Sequence, residues 1–179
     1  MQQKEDIALI LDFLPNGYFG QGKRIPIAQA IGKENFTLLH LVPRKGITLK
    51  LKEEVYIGSG KRDKINFIQG RISGNKLTET AKTQLAEFIT QVLNNEGKRF
   101  VEFFNKAEPI NTRLHQLELL PGFGKKHTKM IISSREDKVF ESFEDIKQRI
   151  KNIPDPKKSI EKRLLEEIET QPKYRLFTS

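Results

Sequence analysis

The chain has 179 residues, 36% of them hydrophobic and 31% charged, with a mean hydropathy of −0.55, a balance too apolar for a disordered chain and suited to one large or two small domains. Thirty-two Lys and Arg against 23 Asp and Glu give a formal charge of +9, which makes a polyanion the partner class to look for. The absence of cysteine excludes disulfides, iron–sulfur clusters, thiolate zinc sites and cysteine nucleophiles together.

Up to about residue 76 the pattern is that of strands. Ile7–Leu14 is a nearly continuous apolar run, as in a strand buried on both faces. A glycine-rich loop, Asn16–Gly22, follows; it either holds Tyr18 or Phe19 against a nucleobase or is an ordinary hairpin loop. Ile25–Ile31 and Phe36–Val42 are the next candidate strands. Ile47, Leu49 and Leu51 alternate with Thr48, Lys50 and Lys52, which predicts a strand continued by Val55 and Ile57. After the turn Gly58–Gly60, Ile65–Ile72 predicts another strand, with a bulge where the apolar phase slips between Phe67 and Ile68. Five or six short strands around a small core predict a compact barrel.

From Thr78 the period becomes helical. Ala81, Leu85, Phe88, Ile89, Val92 and Leu93 share one face, with Thr78 as N-cap and Gly97 just past the end. Phe100, Phe103, Phe104 and Ala107 form a second stripe, stopped by Pro109 and read as core. Leu114, Leu117 and Leu120 predict a short helix ending at Pro121, and another starts at Lys125. Ser142 opens a further helix with a capping box to Asp145. Asp155 and Pro156 supply N-cap and first position of the last one, whose apolar face is Ile160, Leu164, Leu165 and Ile168. The tail PKYRLFTS is either a final strand or irregular.

The segment with most chemical content is LPGFG, Leu120–Gly124, followed by KKHTKMII. Glycines at 122 and 124 let successive N–H groups turn into one concavity at the amino end of the next helix, where the dipole favours an anion. Lys125, Lys126 and Lys129 add charge, and Phe123 anchors the hairpin. This is the helix-hairpin-helix pattern, a sequence-independent phosphate clamp, with Thr128 where alanine is usual. A hairpin used only for packing is the alternative. Ile153–Pro156 reads as a degenerate second copy: its proline lacks an N–H and Asp155 repels phosphate, so it stacks on the first, with Lys157 and Lys158 at the rim.

Basic residues are unevenly spread. Val42–Lys76 carries nine against three acidic ones, and residues 111–179 carry fifteen against eleven. Lys61, Arg62, Lys64 and Arg71 are therefore candidate phosphate contacts beside the clamp. Gly58-Ser-Gly-Lys-Arg is not a P-loop, because Val55 and Arg62 stand where glycine and Ser/Thr are required.

Several blocks in order, YFGQGKR, FTLLHLVPR, EVYIGSGKRDKINFIQGRIS and above all RFVEFFNKAEPINTRLHQLELLPGFGKKH, resemble the archaeal domain-of-unknown-function family 655, described as RNA-binding proteins. The resemblance covers nearly the whole chain. It implies an α+β protein: an OB-like β-barrel followed by an all-helical tandem helix-hairpin-helix domain. Genes of that family lie beside those for translation proteins and a ribosomal-RNA dimethyladenosine methyltransferase, which implies a role in ribosome assembly or translation.

The expected organisation is a barrel at 1–76, connecting helices at 77–110 and the tandem hairpins at 111–171. The expected function is non-enzymatic binding of structured, ribosomal RNA through Gly122, Phe123, Gly124, Lys125, Lys126, Lys129, Lys61, Arg62, Lys64 and Arg71. A DNA-repair accessory protein and a protein-interaction module on the ribosome or RNA polymerase are the rivals. An enzyme has only Asp63 and the Glu136–Asp137 pair to work with, and no catalytic residue is assigned. His40, His115 and His127 show no metal-ligand spacing, so no metal, cofactor or small-molecule substrate is implied. No apolar run approaches the roughly 18–20 residues of a membrane span, and the amino terminus lacks a secretory signal, so a cytoplasmic protein is expected and no membrane partner.

Overall fold

The computed structural model describes residues 4–179. The fold is mixed α+β, a curled five-stranded antiparallel sheet with five α-helices among the described residues. Two compact units are present. One comprises the described residues up to Phe88 together with Glu166–Ser179, and the other is Ile89–Leu165. The cuts fall inside two helices, between Phe88 and Ile89 and between Leu165 and Glu166.

The sheet of the first unit contains β1 (Ile7–Leu14), β2 (Ile27–Gly32), β3 (Leu38–Pro43), β4 (Glu54–Tyr56) and β5 (Ile65–Arg71), in the order β4-β1-β2-β3-β5. Ala8, Ile10, Ala28, Ala30, Leu41, Val55, Ile57 and Ile65 form its core. The register of β1 on β2 slips between Ile10 and Asp12, so Ile10 and Leu11 are both buried although adjacent. That slip accounts for the unbroken apolar run at the start of the chain. In β5 the register against β3 slips twice, leaving Asn66 and Gln69 without opposite partners. The first extra residue puts Ile65 and Ile68 on the core side and leaves Phe67 exposed; a bulge is present as expected, but it lies at Asn66 and not between Phe67 and Ile68, which pair in continuous register with Val42 and Leu41.

One strand prediction fails. Residues 47–52 are not a strand: Leu49 is buried, but Lys52 has a φ of +65° and donates its N–H to the Ile10 carbonyl at 2.8 Å. Glu53 accepts the Lys50 N–H through its side chain at 2.9 Å. These bonds turn the chain where alternation alone would have carried it straight, and only Glu54–Tyr56 pairs with β1.

α1 (Glu79–Asn95) starts where Thr78 accepts the Ala81 N–H at 3.1 Å, as predicted for its N-cap. Gly97 lies just past the end of α1, as expected, and also opens α2 (Gly97–Lys106), whose Phe100 and Phe104 are buried. A two-strand ribbon, β6 (Pro109–Asn111) and β7 (Leu114–His115), replaces the start of the short helix predicted around Leu114–Leu120. Only a single 3-10 turn, Gln116–Leu119, precedes the LPGFG segment.

α3 (Lys125–Asp137), α4 (Phe143–Arg149) and α5 (Pro156–Thr170) complete the chain. Ser142 caps α4 by accepting the Asp145 N–H at 2.9 Å, while the Asp145 carboxylate takes the Glu141 N–H instead of closing the box. Asp155 caps α5 through the Lys158 N–H at 3.0 Å. Beyond α5 the tail forms no strand. Glu167, fully buried, accepts the N–H groups of Leu176, Phe177 and Thr178 at 2.6, 2.9 and 3.1 Å. Among the described residues no helix is long and apolar enough to cross a membrane.

Candidate nucleic-acid interface

The LPGFG segment behaves as a hairpin anchored from below. Phe123 is buried, its ring centroid 6.0 Å from that of Phe104, and its N–H is taken by the Leu120 carbonyl. Gly122 has a φ of +85°, and a Cβ there would lie 3.2 Å from Pro154, so the turn needs glycine for conformation and for space. Gly124 is the N-cap of α3, but its N–H is not free: the Nδ1 of His127 accepts it at 3.2 Å. The Nε2 of that imidazole faces the Asn152 carbonyl at 3.3 Å. The expected donor at Gly124 is therefore engaged. The donors without a partner among the described residues are the amides of Lys125, Lys126 and His127, the first turn of α3.

Thr128, in place of the usual alanine, is buried, and its hydroxyl donates to the Gly124 carbonyl at 3.0 Å. The substitution thus leaves no unsatisfied group. The Ile153–Pro156 segment packs on the Leu120–Gly124 turn. Pro154 lies against Gly122, and the Ser159 hydroxyl donates to the Pro121 carbonyl at 2.9 Å. Asp155 is occupied in capping α5 and by Lys147 at 3.8 Å. Lys157 bonds the Asn94 side chain, and Lys158 forms no ion pair among the described residues.

Lys125, Lys126 and Lys129 are exposed, and none lies within ion-pair distance of a described carboxylate. Beside them is a groove of about 280 Å³ whose lining includes Arg113, His115, Lys125 and Lys129. Arg113, at the tip of the β6–β7 ribbon, was not a candidate from sequence. Its only visible signal is its place eleven residues before Gly124 in a block without regular periodicity. Glu118 also lines the groove, its carboxylate holding the His115 N–H at 2.8 Å. His115 is 7% exposed; its Nδ1 accepts the Leu117 N–H, and burial followed by the nearby Arg135 pushes its pKa below the usual imidazole range. Other cations of this unit serve the scaffold. Arg135 donates to the Phe104 and Ala107 carbonyls at the end of α2, and Arg149 donates to the Ser134 and Lys138 carbonyls at the end of α3.

The remaining candidates, Lys61, Arg62, Lys64 and Arg71, belong to the first unit. Lys64 is engaged with Glu53, whose carboxyl it holds below the usual carboxylate range. Arg62 is half-buried, its Nε donating to the Gly58 carbonyl at 2.8 Å. Arg44 donates its Nε to the Arg62 carbonyl at 2.8 Å and so joins this loop; it lies in the basic run, yet only the β3–β5 pairing brings it there. Lys61 and Arg71 are exposed without an ion-pair partner among the described residues. Of the glycine-rich loop, Tyr18 is committed. Its hydroxyl meets His40 Nε2 at 2.5 Å and accepts from Gln29 at 2.7 Å, and burial raises its pKa. Phe19 is fully exposed.

The family model for a protein of unknown function, DUF655, matches residues 4–179. The chain belongs to this family. An uncharacterised protein of Methanocaldococcus jannaschii is 43% identical over 179 residues, covering 98% of this chain and 81% of that protein. A crystal structure of a DUF655 protein from Archaeoglobus fulgidus is similar with a TM-score of 0.82 at 46% identity, covering 98% of this chain and all of the other. The DUF655 family thus extends across both units, the hairpin and the basic loop included.

Proposed function

We propose that this protein is a non-enzymatic RNA-binding protein that holds structured, ribosomal RNA by its backbone phosphates during ribosome assembly or translation. The observation that carries this reading is the amino end of α3. Unpartnered amides of Lys125, Lys126 and His127 coincide there with three exposed, unneutralised lysines. A phosphate at that point accepts backbone N–H bonds, gains from the helix dipole and meets formal charge, all without reference to base sequence. We take Leu120–Gly124 as a helix-hairpin-helix turn in which His127 has taken over the Gly124 donor and the helix amides do the binding.

The first unit supports the same reading. We read the order β4-β1-β2-β3-β5 as an OB barrel left open between β5 and β4. In such barrels the β1–β2 and β4–β5 loops contact oligonucleotides, and here those loops contain Phe19 and the Lys61–Arg62 pair. The chain is a cytoplasmic protein in this account.

The test is sedimentation of a native extract at low and high salt, with and without nuclease. Co-migration with a ribosomal subunit or its precursor, lost at high salt and after ribonuclease, is the expected result. Migration with DNA would transfer the clamp to a repair or recombination role. Association that survives nuclease would make the protein a protein-interaction module.

A further inference from the structure

β4 and β5 are the two ends of the sheet and share no ladder. The interior of the first unit opens between them as a cleft of about 420 Å³, within the ~300–1,000 Å³ usual for small-ligand sites. Leu39 and Ile57, both members of the core, and the half-buried Ile68 give it apolar walls. Lys4, Arg62 and Arg71 bring cations, and Glu5 and Asp6 bring carboxylates.

These charges do not cancel one another. Neither Arg62 nor Arg71 forms an ion pair among the described residues. The Nε bond of Arg62 to Gly58 fixes its guanidinium at the mouth and leaves the terminal nitrogens available. Glu5 is occupied, its carboxylate accepting the N–H groups of Glu34, Asn35 and Thr37 at 3.0–3.1 Å. Asp6 is exposed; its backbone carbonyl accepts the Ile57 N–H at 2.8 Å, and its carboxylate accepts no hydrogen bond among the described residues.

Two glycines keep the space open. A Cβ on Gly58 would collide with the Tyr56 hydroxyl and the Asp6 carboxylate. Gly70 has a φ of +155°, beside a register slip in β5, and a Cβ there would point into empty space. Glycine inside a strand is destabilising unless a bulge or a close approach requires it.

We infer that this seam is a binding cleft for one nucleotide, its base between the apolar walls, its phosphate on Arg62 and Arg71, and a ribose hydroxyl or base amine donating to Asp6. A ligand with only an apolar body and an anionic head leaves Asp6 unmatched, and an uncharged one leaves both guanidinia unmatched. The chemistry fits both a free nucleoside monophosphate and an unstacked or terminal nucleotide of an RNA chain. The proposal shares Arg62 and Arg71 with the RNA reading but does not involve α3, so either can fail alone.

The experiment is a titration of the full chain with the four ribonucleoside 5′-monophosphates, followed by calorimetry and by amide chemical shifts. Saturable binding is expected, with the shifts concentrated at residues 57–62 and 68–71. Arg71→Glu should weaken it at least about tenfold, the effect of losing a charge-assisted bond, and Arg62→Ala should do the same. An RNA oligonucleotide that displaces the mononucleotide at lower concentration assigns the cleft to RNA, and one that does not assigns it to the free nucleotide. Absence of saturable binding, or binding unaltered in both arginine variants, would overturn the proposal.

Discussion

Gly122 sits where a residue's backbone and its neighbour's side chain make the same demand. Its φ of +85° disfavours any other residue, and Pro154 lies 3.2 Å from where a Cβ would be. Gly122→Ala should therefore cost about 1–3 kcal/mol, read as a lowered midpoint of thermal unfolding. An unchanged midpoint would mean that the two hairpins do not press on one another there. Two imidazoles make the stability depend on pH. His40 accepts the Tyr18 hydroxyl and is held below the ordinary value by burial and then by Lys76; His115 is held down by burial and then by Arg135. Folding thus favours their neutral forms. Their contribution is complete above the unfolded imidazole value of about 6.5 and is lost as the pH falls through it toward the lowered folded values. The thermal midpoint should drop between about pH 7 and 5, and a His40→Gln, His115→Asn variant should show a flatter profile across that window. Parallel profiles would remove both residues from the pH response.

Helix ends were the most legible elements, because each rests on two or three adjacent residues. Thr78, Ser142 and Asp155 all cap as their positions predict, since a side-chain oxygen two or three residues before an unpaired amide has few alternatives. Asp155→Ala should lower stability by about 1 kcal/mol by equilibrium denaturation, with Asp155→Asn nearly neutral; equal losses in both would point to the Lys147 contact instead of the cap. The alternation at Ile47–Leu51 misled because period two records which side chains are buried, not whether the backbone is paired. Here Leu49 is buried from an irregular segment held by the Ile10 carbonyl. The 3-10 turn before Pro121 was equally hidden, since Leu114, Leu117 and Leu120 suit a helix and a ribbon followed by a turn alike. The candidate site divides in the same way. Phe123 and the α3 lysines could be placed from sequence, as could the need for glycine at 122. The capture of the Gly124 amide by His127 could not, because the second bond of that imidazole goes to Asn152, 25 residues on. Arg44 and Lys64 likewise acquire their roles from partners across the sheet.

At the scale of the whole chain, the formal charge overstates what is available to a polyanion. Lys33, Lys52 and Lys64 are ion-paired, and Arg135 and Arg149 close helix ends, while Lys125, Lys126 and Lys129 of α3 and Lys61 of the β4–β5 loop are exposed with no ion pair among the described residues. The tail shows the same division of labour in reverse, with a buried acid anchoring backbone. Glu167→Ala should release residues 176–178 and speed trypsin cleavage after Arg175 several-fold, while leaving the affinity for RNA as it was. Unaltered cleavage would mean that the tail is held by other contacts.

The clamp itself is tested most directly by the salt dependence of binding. A labelled ribosomal RNA fragment would be titrated with the native chain and with Lys125→Glu, Lys126→Glu across a series of salt concentrations. The account predicts at least about tenfold weaker binding by the variant and a log–log slope flatter by about one to two, with the fold intact by circular dichroism. Equal affinity and equal slope for the two proteins would contradict it, because the first turn of α3 would then carry no phosphate.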